Sequence, residues 1–192
     1  MHTVILHGGS VQDTELEQIH TLLCEELRAA GATIESLRLE TMRIHPCVGC
    51  FGCWLKTPGE CGYDDDGRTV ARALVQCDLR IFLTPVSFGG YSGLLKTAAD
   101  RMIPTISPLF VKYHGEMHHR LRYPDPARFL AVGWQQAANA NSAAIFTQLV
   151  QRNALNMHAP ASDSLVLTGT QTTAEQQASI AKALRNLEVR HD

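Results

Sequence analysis

Short apolar runs alternate with helically spaced apolar positions along this chain, and that alternation limits its fold more than any other feature. Thr3-Val4-Ile5-Leu6-His7 is an apolar run closed by Gly8-Gly9. Over residues 14 to 30, Leu16, Ile19, Leu23, Leu27 and Ala30 share one helical face, and Gly31 ends the pattern. Thr33 to Leu39 alternates as a strand does, and residues 66 to 77 return to helical spacing. Leu79 to Thr84 is a second buried strand stopped by Pro85, and residues 92 to 103 form a helix with Lys96 and Asp100 one turn apart. Phe129 to Val132 and Ser164 to Leu167 are the last two strands, with a helix near 142–153 between them and another over 173–188.

Five strands alternating with five helices predict an α/β fold: a doubly wound parallel sheet with helices on both faces. Right-handed crossovers leave few topologies, of which the flavodoxin-like order 2-1-3-4-5 suits this count and length. Ligands of such sheets sit beyond the carboxyl ends of the strands, so the loops after strands one, three and four are expected to meet at one site. With 192 residues, no internal repeat and no linker-like stretch, residues 1–192 read as one domain. A formal charge of −2 gives no electrostatic basis for binding nucleic acid or an anionic membrane. The longest uncharged run, Phe129 to Gln151, is too polar to span a bilayer. No signal peptide precedes the first strand, so the expected compartment is a reducing cytoplasm.

Three loops carry candidate chemistry. The first, Gly8 to Thr14, opens a helix, where free N–H groups attract a phosphate. Ser10, Gln12 and Thr14 offer further donors; alternatively, Asp13 or Thr14 simply caps the helix with Glu17 nearby. The loop is neither G-x-G-x-x-G nor a Walker loop. The second, Thr84-Pro85-Val86-Ser87-Phe88-Gly89-Gly90-Tyr91-Ser92-Gly93, lets the backbone approach a flat ligand, with Phe88 and Tyr91 available to cover a ring. The third, Gly133 to Asn139, adds Trp134, which also suits a core position at a strand end.

Cys47, Cys50, Cys53 and Cys61 follow the pattern C-x2-C-x2-C-x7-C. Three thiols at two-residue gaps crowd one small volume, as a cubane iron–sulfur cluster requires, whereas zinc sites pair two C-x2-C units across a longer loop. A loop that keeps its cysteines without a metal is the competing reading, and disulfides fit a reducing compartment poorly. Cys24 and Cys77 fall in expected helices as core residues. Asp64-Asp65-Asp66 either caps the next helix or forms an acidic metal patch.

The run Pro46-Cys47-Val48-Gly49-Cys50-Phe51-Gly52-Cys53-Trp54, then Pro58-Gly59-Glu60-Cys61 and the three aspartates, resembles the NADPH-dependent FMN reductase and iron–sulfur flavoprotein families. So does Thr84 to Gly89 with Leu95-Lys96 and Asp100-Arg101. The resemblance extends from the first strand to about Trp134. It implies a flavodoxin-like fold binding FMN, with the phosphate on Ser10, Gln12 and Thr14 and the ring against Pro85, Val86, Ser87, Phe88 and Gly89, near Trp134. The backbone N–H groups of residues 86 to 89 are then expected to hold the ring. It further implies NAD(P)H as electron donor, a [4Fe–4S] cluster on the four cysteines in some members, and a homodimer or homotetramer. Many members carry Gly-Ser-Pro-Arg in the phosphate loop; this chain has Gly-Ser-Val-Gln-Asp-Thr, without the arginine and with an acid. FMN is therefore expected to bind loosely or act as a cosubstrate.

The segment Pro104 to Pro126 holds four of the eight prolines and His114, His118 and His119. It reads as an unusually long loop that covers the flavin, binds the NADPH phosphate or reaches a second subunit. Three functions fit: an NAD(P)H-dependent FMN oxidoreductase passing electrons to a quinone, flavin or partner protein; an iron–sulfur flavoprotein in one-electron transfer; or a non-catalytic redox-sensing or zinc-stabilised module.

Overall fold

A computed structural model describes residues 1–188. Strands β1 (His2–His7), β2 (Thr33–Arg38), β3 (Leu79–Pro85), β6 (Arg128–Gln135) and β7 (Ser162–Thr168) form one parallel sheet in the order β2-β1-β3-β6-β7. Burial explains the order. The continuous apolar runs β1, β3 and β6 lie inside the sheet, buried on both faces, while β2 and β7, with more mixed sequences, take the edges.

Helices α1 (Thr14–Ala29) and α6 (Thr173–Glu188) cover one face, packing Leu16, Ile19, Leu23 and Ile180 on Ile5, Ile81 and Leu130. Helices α3 (Asp66–Gln76), α4 (Gly93–Asp100) and α5 (Ala140–Asn156) cover the other, packing Leu74, Leu95 and Phe146 on Leu6, Phe82 and Phe129. A one-turn helix α2 (Gly52–Leu55) lies within the cysteine segment. Cys24 and Cys77 are core residues, as expected. Lys96 reaches Asp100 at 2.6 Å.

The expected strand order needs one correction. The places assigned to strands four and five are held by β6 and β7, because Pro104–Pro126 is not a loop. It contains β4 (Ile106–Tyr113) and β5 (Glu116–Leu121), paired antiparallel in a separate hairpin. His114 and Gly115 both have positive φ (48° and 84°), the pattern of a tight hairpin turn. The pairing register shifts between Ile106 and Phe110, around Pro108, where a residue without an N–H is tolerated. The hairpin rests on the cysteine segment through Trp54, whose ring centroid is 5.0 Å from that of His119. Among the described residues, no helix is long and apolar enough to cross a membrane.

Candidate functional site

The loops after β1, β3 and β6 meet at the carboxyl edge of the sheet. Gly8 N donates to Leu83 O at 2.8 Å, Ser92 Oγ donates to Gly8 O at 2.6 Å, and Val86 N donates to Trp134 O at 2.9 Å. Loops from three neighbouring strands are thereby fastened to one another before any ligand is considered.

The first loop presents anion-binding donors, and carboxylates of the chain itself fill them. Ser10 N donates to Asp13 Oδ2 at 2.8 Å. Glu40, in the single helical turn Leu39–Thr41 after β2, accepts from Ser10 Oγ at 3.0 Å and from Val11 N at 2.6 Å. Gln12 N donates to Ser10 Oγ at 3.2 Å. Thr14 is the first residue of α1, and its hydroxyl donates to Glu15. Asp13 takes the N-cap position of α1 without a side-chain capping bond, its carboxylate being used on Ser10. The nearby cation, Arg38, is committed to Glu17, which its hydrogen bonds hold below the usual carboxylate range. The cradle thus has the N–H and hydroxyl chemistry of a phosphate site, with a carboxylate where an arginine would help.

The second loop is a tight turn. Ser87 and Gly90 exchange two backbone hydrogen bonds, of 3.0 and 2.8 Å, around Phe88 (φ 49°) and Gly89 (φ 78°). Left-handed backbone at both central residues is the type I′ pattern, which selects Gly or Asn and disfavours an aromatic. Gly89 is required twice over, because a Cβ there would also lie 2.7 Å from Ile145. Phe88 nevertheless stands in this turn with its side chain fully exposed. A bulky residue is thus held in a costly backbone conformation with its ring in water. Of the four N–H groups in residues 86 to 89, those of Val86 and Ser87 are already used, leaving Phe88 and Gly89 without a partner among the described residues. Pro85 ends β3.

Two aromatics expected near the ring are engaged elsewhere. Tyr91 is buried edge-on against Phe82 and Phe146, its hydroxyl accepting from Asn153 at 2.9 Å. Trp134 is half-buried and packs with the α1/α6 core.

Cys47, Cys50, Cys53 and Cys61 line one small cavity of about 30 Å³. All six cysteines are free, Cys53 is buried, and burial with the neighbouring thiols pushes its pKa up. No group of three or more His, Cys, Asp or Glu side chains among the described residues is arranged to hold a metal ion. The four cysteines nonetheless converge on that one cavity. The cavity is braced by Asp65 and Arg101, whose side chains are each 1% exposed. Arg101 Nη1 and Nη2 each donate to one Asp65 oxygen at 2.8 Å, and Nη1 also donates to His45 O at 2.7 Å. Asp65 additionally accepts from Gly67 N as the N-cap of α3, and from His45 N. Gly67 permits this, since a Cβ would sit 2.9 Å from the guanidinium carbon. These bonds and Arg101 hold the Asp65 carboxyl well below its ordinary range, against the opposing effect of burial. Arg101 Nε is buried with no hydrogen-bond partner.

A family model for NADPH-dependent FMN reductase matches residues 1–172. The chain belongs to that family. An iron-sulfur flavoprotein of Archaeoglobus fulgidus is 32% identical over 80 residues, covering 42% of this chain and 36% of that protein. One from Methanocaldococcus jannaschii is 35% identical over 88 residues, covering 44% and 45%. The chain thus spans less than half the length of these curated relatives. Among solved structures, an NAD(P)H:quinone oxidoreductase from Methanothermobacter marburgensis superposes with TM-score 0.73 at 15% identity, covering 100% of this chain and 99% of that one. An FMN-dependent NADH-azoreductase from Bacillus anthracis in complex with FMN gives 0.66 at 14%, covering 99% and 98%. At these identities the likeness is one of fold.

Within this FMN reductase family member, sequence reasoning missed Glu40 and the Asp65–Arg101 pair. Glu40 follows the strand expected beside β1, which places it near the first loop, but its contact with Ser10 and Val11 is seen only in the structure. Of the three aspartates expected to cap the next helix or form a metal patch, Asp65 caps α3, but its larger engagement is with Arg101, 36 residues away, which spacing does not reveal.

Proposed function

We propose that this chain is an FMN-dependent oxidoreductase that draws reducing equivalents from NAD(P)H and passes them to a small-molecule acceptor such as a quinone or free flavin. The supporting observation is Phe88, exposed and left-handed where three sheet loops meet. Bound FMN supplies the hydride chemistry; the protein binds and orients it. Phe88 would cover one side of the ring, and the free N–H groups of Phe88 and Gly89 would be the donors for a ring carbonyl. Ser10 and Gln12 would supply phosphate donors together with Val11 N, while the Thr14 hydroxyl, also expected there, is engaged by Glu15.

Glu40 competes for those donors, which supports FMN as an exchangeable ligand. Replacing it frees Val11 N and Ser10 Oγ and removes a like charge from beside the phosphate. Glu40→Ser is expected to tighten FMN at least about tenfold, equivalent to about 1.4 kcal/mol, while leaving riboflavin, which lacks the phosphate, within about twofold. Fluorescence titration of the two flavins checks this; equal effects on both would remove Glu40 from the phosphate site.

The activity is tested anaerobically with added FMN. NADH or NADPH should bleach flavin absorbance only when the protein is present, and a quinone should restore it. No bleaching with either donor would favour a non-catalytic module.

A second reading, an iron–sulfur flavoprotein in one-electron transfer, is supported by the four cysteines converging on one cavity beside Arg101, a buried cation with a spare donor. It requires about four irons per chain in the same preparation and their loss in Cys50→Ala. Iron-free protein would leave a simple flavin reductase. The exposed Leu109, Phe110 and Met117 of the hairpin support a homodimer or homotetramer, which sedimentation velocity measures directly.

A further inference from the structure

Arg80 stands in β3, the middle strand of the sheet, paired in register with Val4 and Phe129. It is 7% exposed, and side chains alternate along a strand, so Arg80 shares the α3/α4/α5 face with Phe82. A charged residue in such a position normally has a carboxylate beside it. None of the described carboxylates forms an ion pair with it. Its Nε donates to Leu74 O at 2.9 Å, its guanidinium lies against the Cys77 thiol, and its two terminal nitrogens have no oxygen or nitrogen partner among the described residues. The neighbouring Cys77 thiol is pushed up to about 11 by burial, so it stays neutral and supplies no counter-charge. Burial pulls the Arg80 pKa down, yet a guanidinium remains charged at neutral pH.

Arg80 lines a cavity of about 350 Å³ between α4, α5 and the β4–β5 hairpin, a size suited to a small molecule. The walls are mainly apolar, with Met102, Ile106, Leu121, Leu149 and Met157. The other charged groups there do not neutralise Arg80: Lys96 and Asp100 pair with each other, and Asp125 lies in the exposed Tyr123–Asp125 stretch. Asn156 Oδ1 is engaged by His118, leaving its amide nitrogen as a second donor.

We propose that this chamber is a binding site for a compact, apolar monocarboxylic acid, its carboxylate on Arg80 and its body against the apolar walls. A planar guanidinium with two free nitrogens matches a carboxylate bidentately. One cation in apolar surroundings suits a single negative charge better than a phosphate dianion. The site is independent of the flavin reading.

The test is calorimetry on the whole chain with 2-naphthoate and its neutral counterpart 2-naphthalenemethanol. The acid should bind once per chain and at least about tenfold tighter than the alcohol, whether or not FMN is present. Arg80→Met should abolish the preference without lowering the melting temperature, because an unpaired buried charge gives way to an apolar side chain. Leu149→Trp, which fills the chamber from α5 with Arg80 intact, should abolish binding of the acid even if the arginine variant fails to fold. Equal affinity for acid and alcohol, a preference that survives in folded Arg80→Met, binding that survives Leu149→Trp, or displacement by FMN would each overturn the proposal.

Discussion

Asp65→Ala is expected to destabilise the chain by about 3–5 kcal/mol, the usual consequence of leaving one partner of a buried ion pair uncompensated. Arg101 is among the largest fully buried side chains, and the two Asp65 oxygens are its only ionic partners among the described residues. The substitution also removes the N-cap of α3 and the acceptor for His45 N, so the cysteine segment loses its anchor as well. Against a typical domain stability of about 5–15 kcal/mol, a loss of this size shifts the urea midpoint severely or prevents folding. The double variant Asp65→Leu with Arg101→Met separates charge from packing: it should recover most of the lost stability, since a buried pair replaced by apolar groups of similar volume is often neutral. A single variant within about 1 kcal/mol of the wild type would show that Arg101 finds another partner.

Legibility in the sequence followed how local each determining interaction is. β1, β3 and β6 were readable because strands buried on both faces carry unbroken apolar runs, and α1 because Leu16, Ile19, Leu23 and Leu27 repeat at helical spacing. The hairpin is not legible in the sequence. Its prolines and histidines resemble loop composition, and its two strands pair with each other outside the main sheet, so neither shows a buried strand pattern. Gly115, which sits at the turn between two runs of β-forming residues, is the one local signal the sequence offers for it.

At the candidate site, the loops that meet were predictable from sheet topology, and Ser10, Gln12 and Phe88 lie in them. The occupancy of those loops was not predictable. That Val86 N serves Trp134, that Tyr91 turns into the core and that Glu40 reaches Val11 all depend on contacts between segments far apart in sequence. The missing arginine and the acid in the first loop are visible in the sequence, but the second carboxylate there, Glu40, comes from the segment after β2. Arg80 was visible inside an apolar run, but only the cavity beside it gives that charge a meaning.

The flavin reading rests most directly on Phe88, and a single substitution tests it through two quantities expected to move in opposite directions. Glycine adopts φ near 49° without the strain that a phenylalanine carries there. A bulky residue in this region costs about 1–3 kcal/mol, so Phe88→Gly should raise the melting temperature or leave it unchanged. The same change removes the aromatic surface proposed to cover the flavin. Stacking of a flat heteroaromatic ring on a side chain contributes about 1–3 kcal/mol, so the affinity for both FMN and riboflavin should fall at least about tenfold. Riboflavin must fall with FMN, because Phe88 acts on the ring and not on the phosphate. The decisive measurement is therefore riboflavin titration of wild type and Phe88→Gly by fluorescence quenching, with a thermal melt of each. Weaker flavin binding by an equally or more stable protein is the result the flavin site predicts. Unchanged flavin affinity, or no flavin binding by the wild type at all, would contradict it.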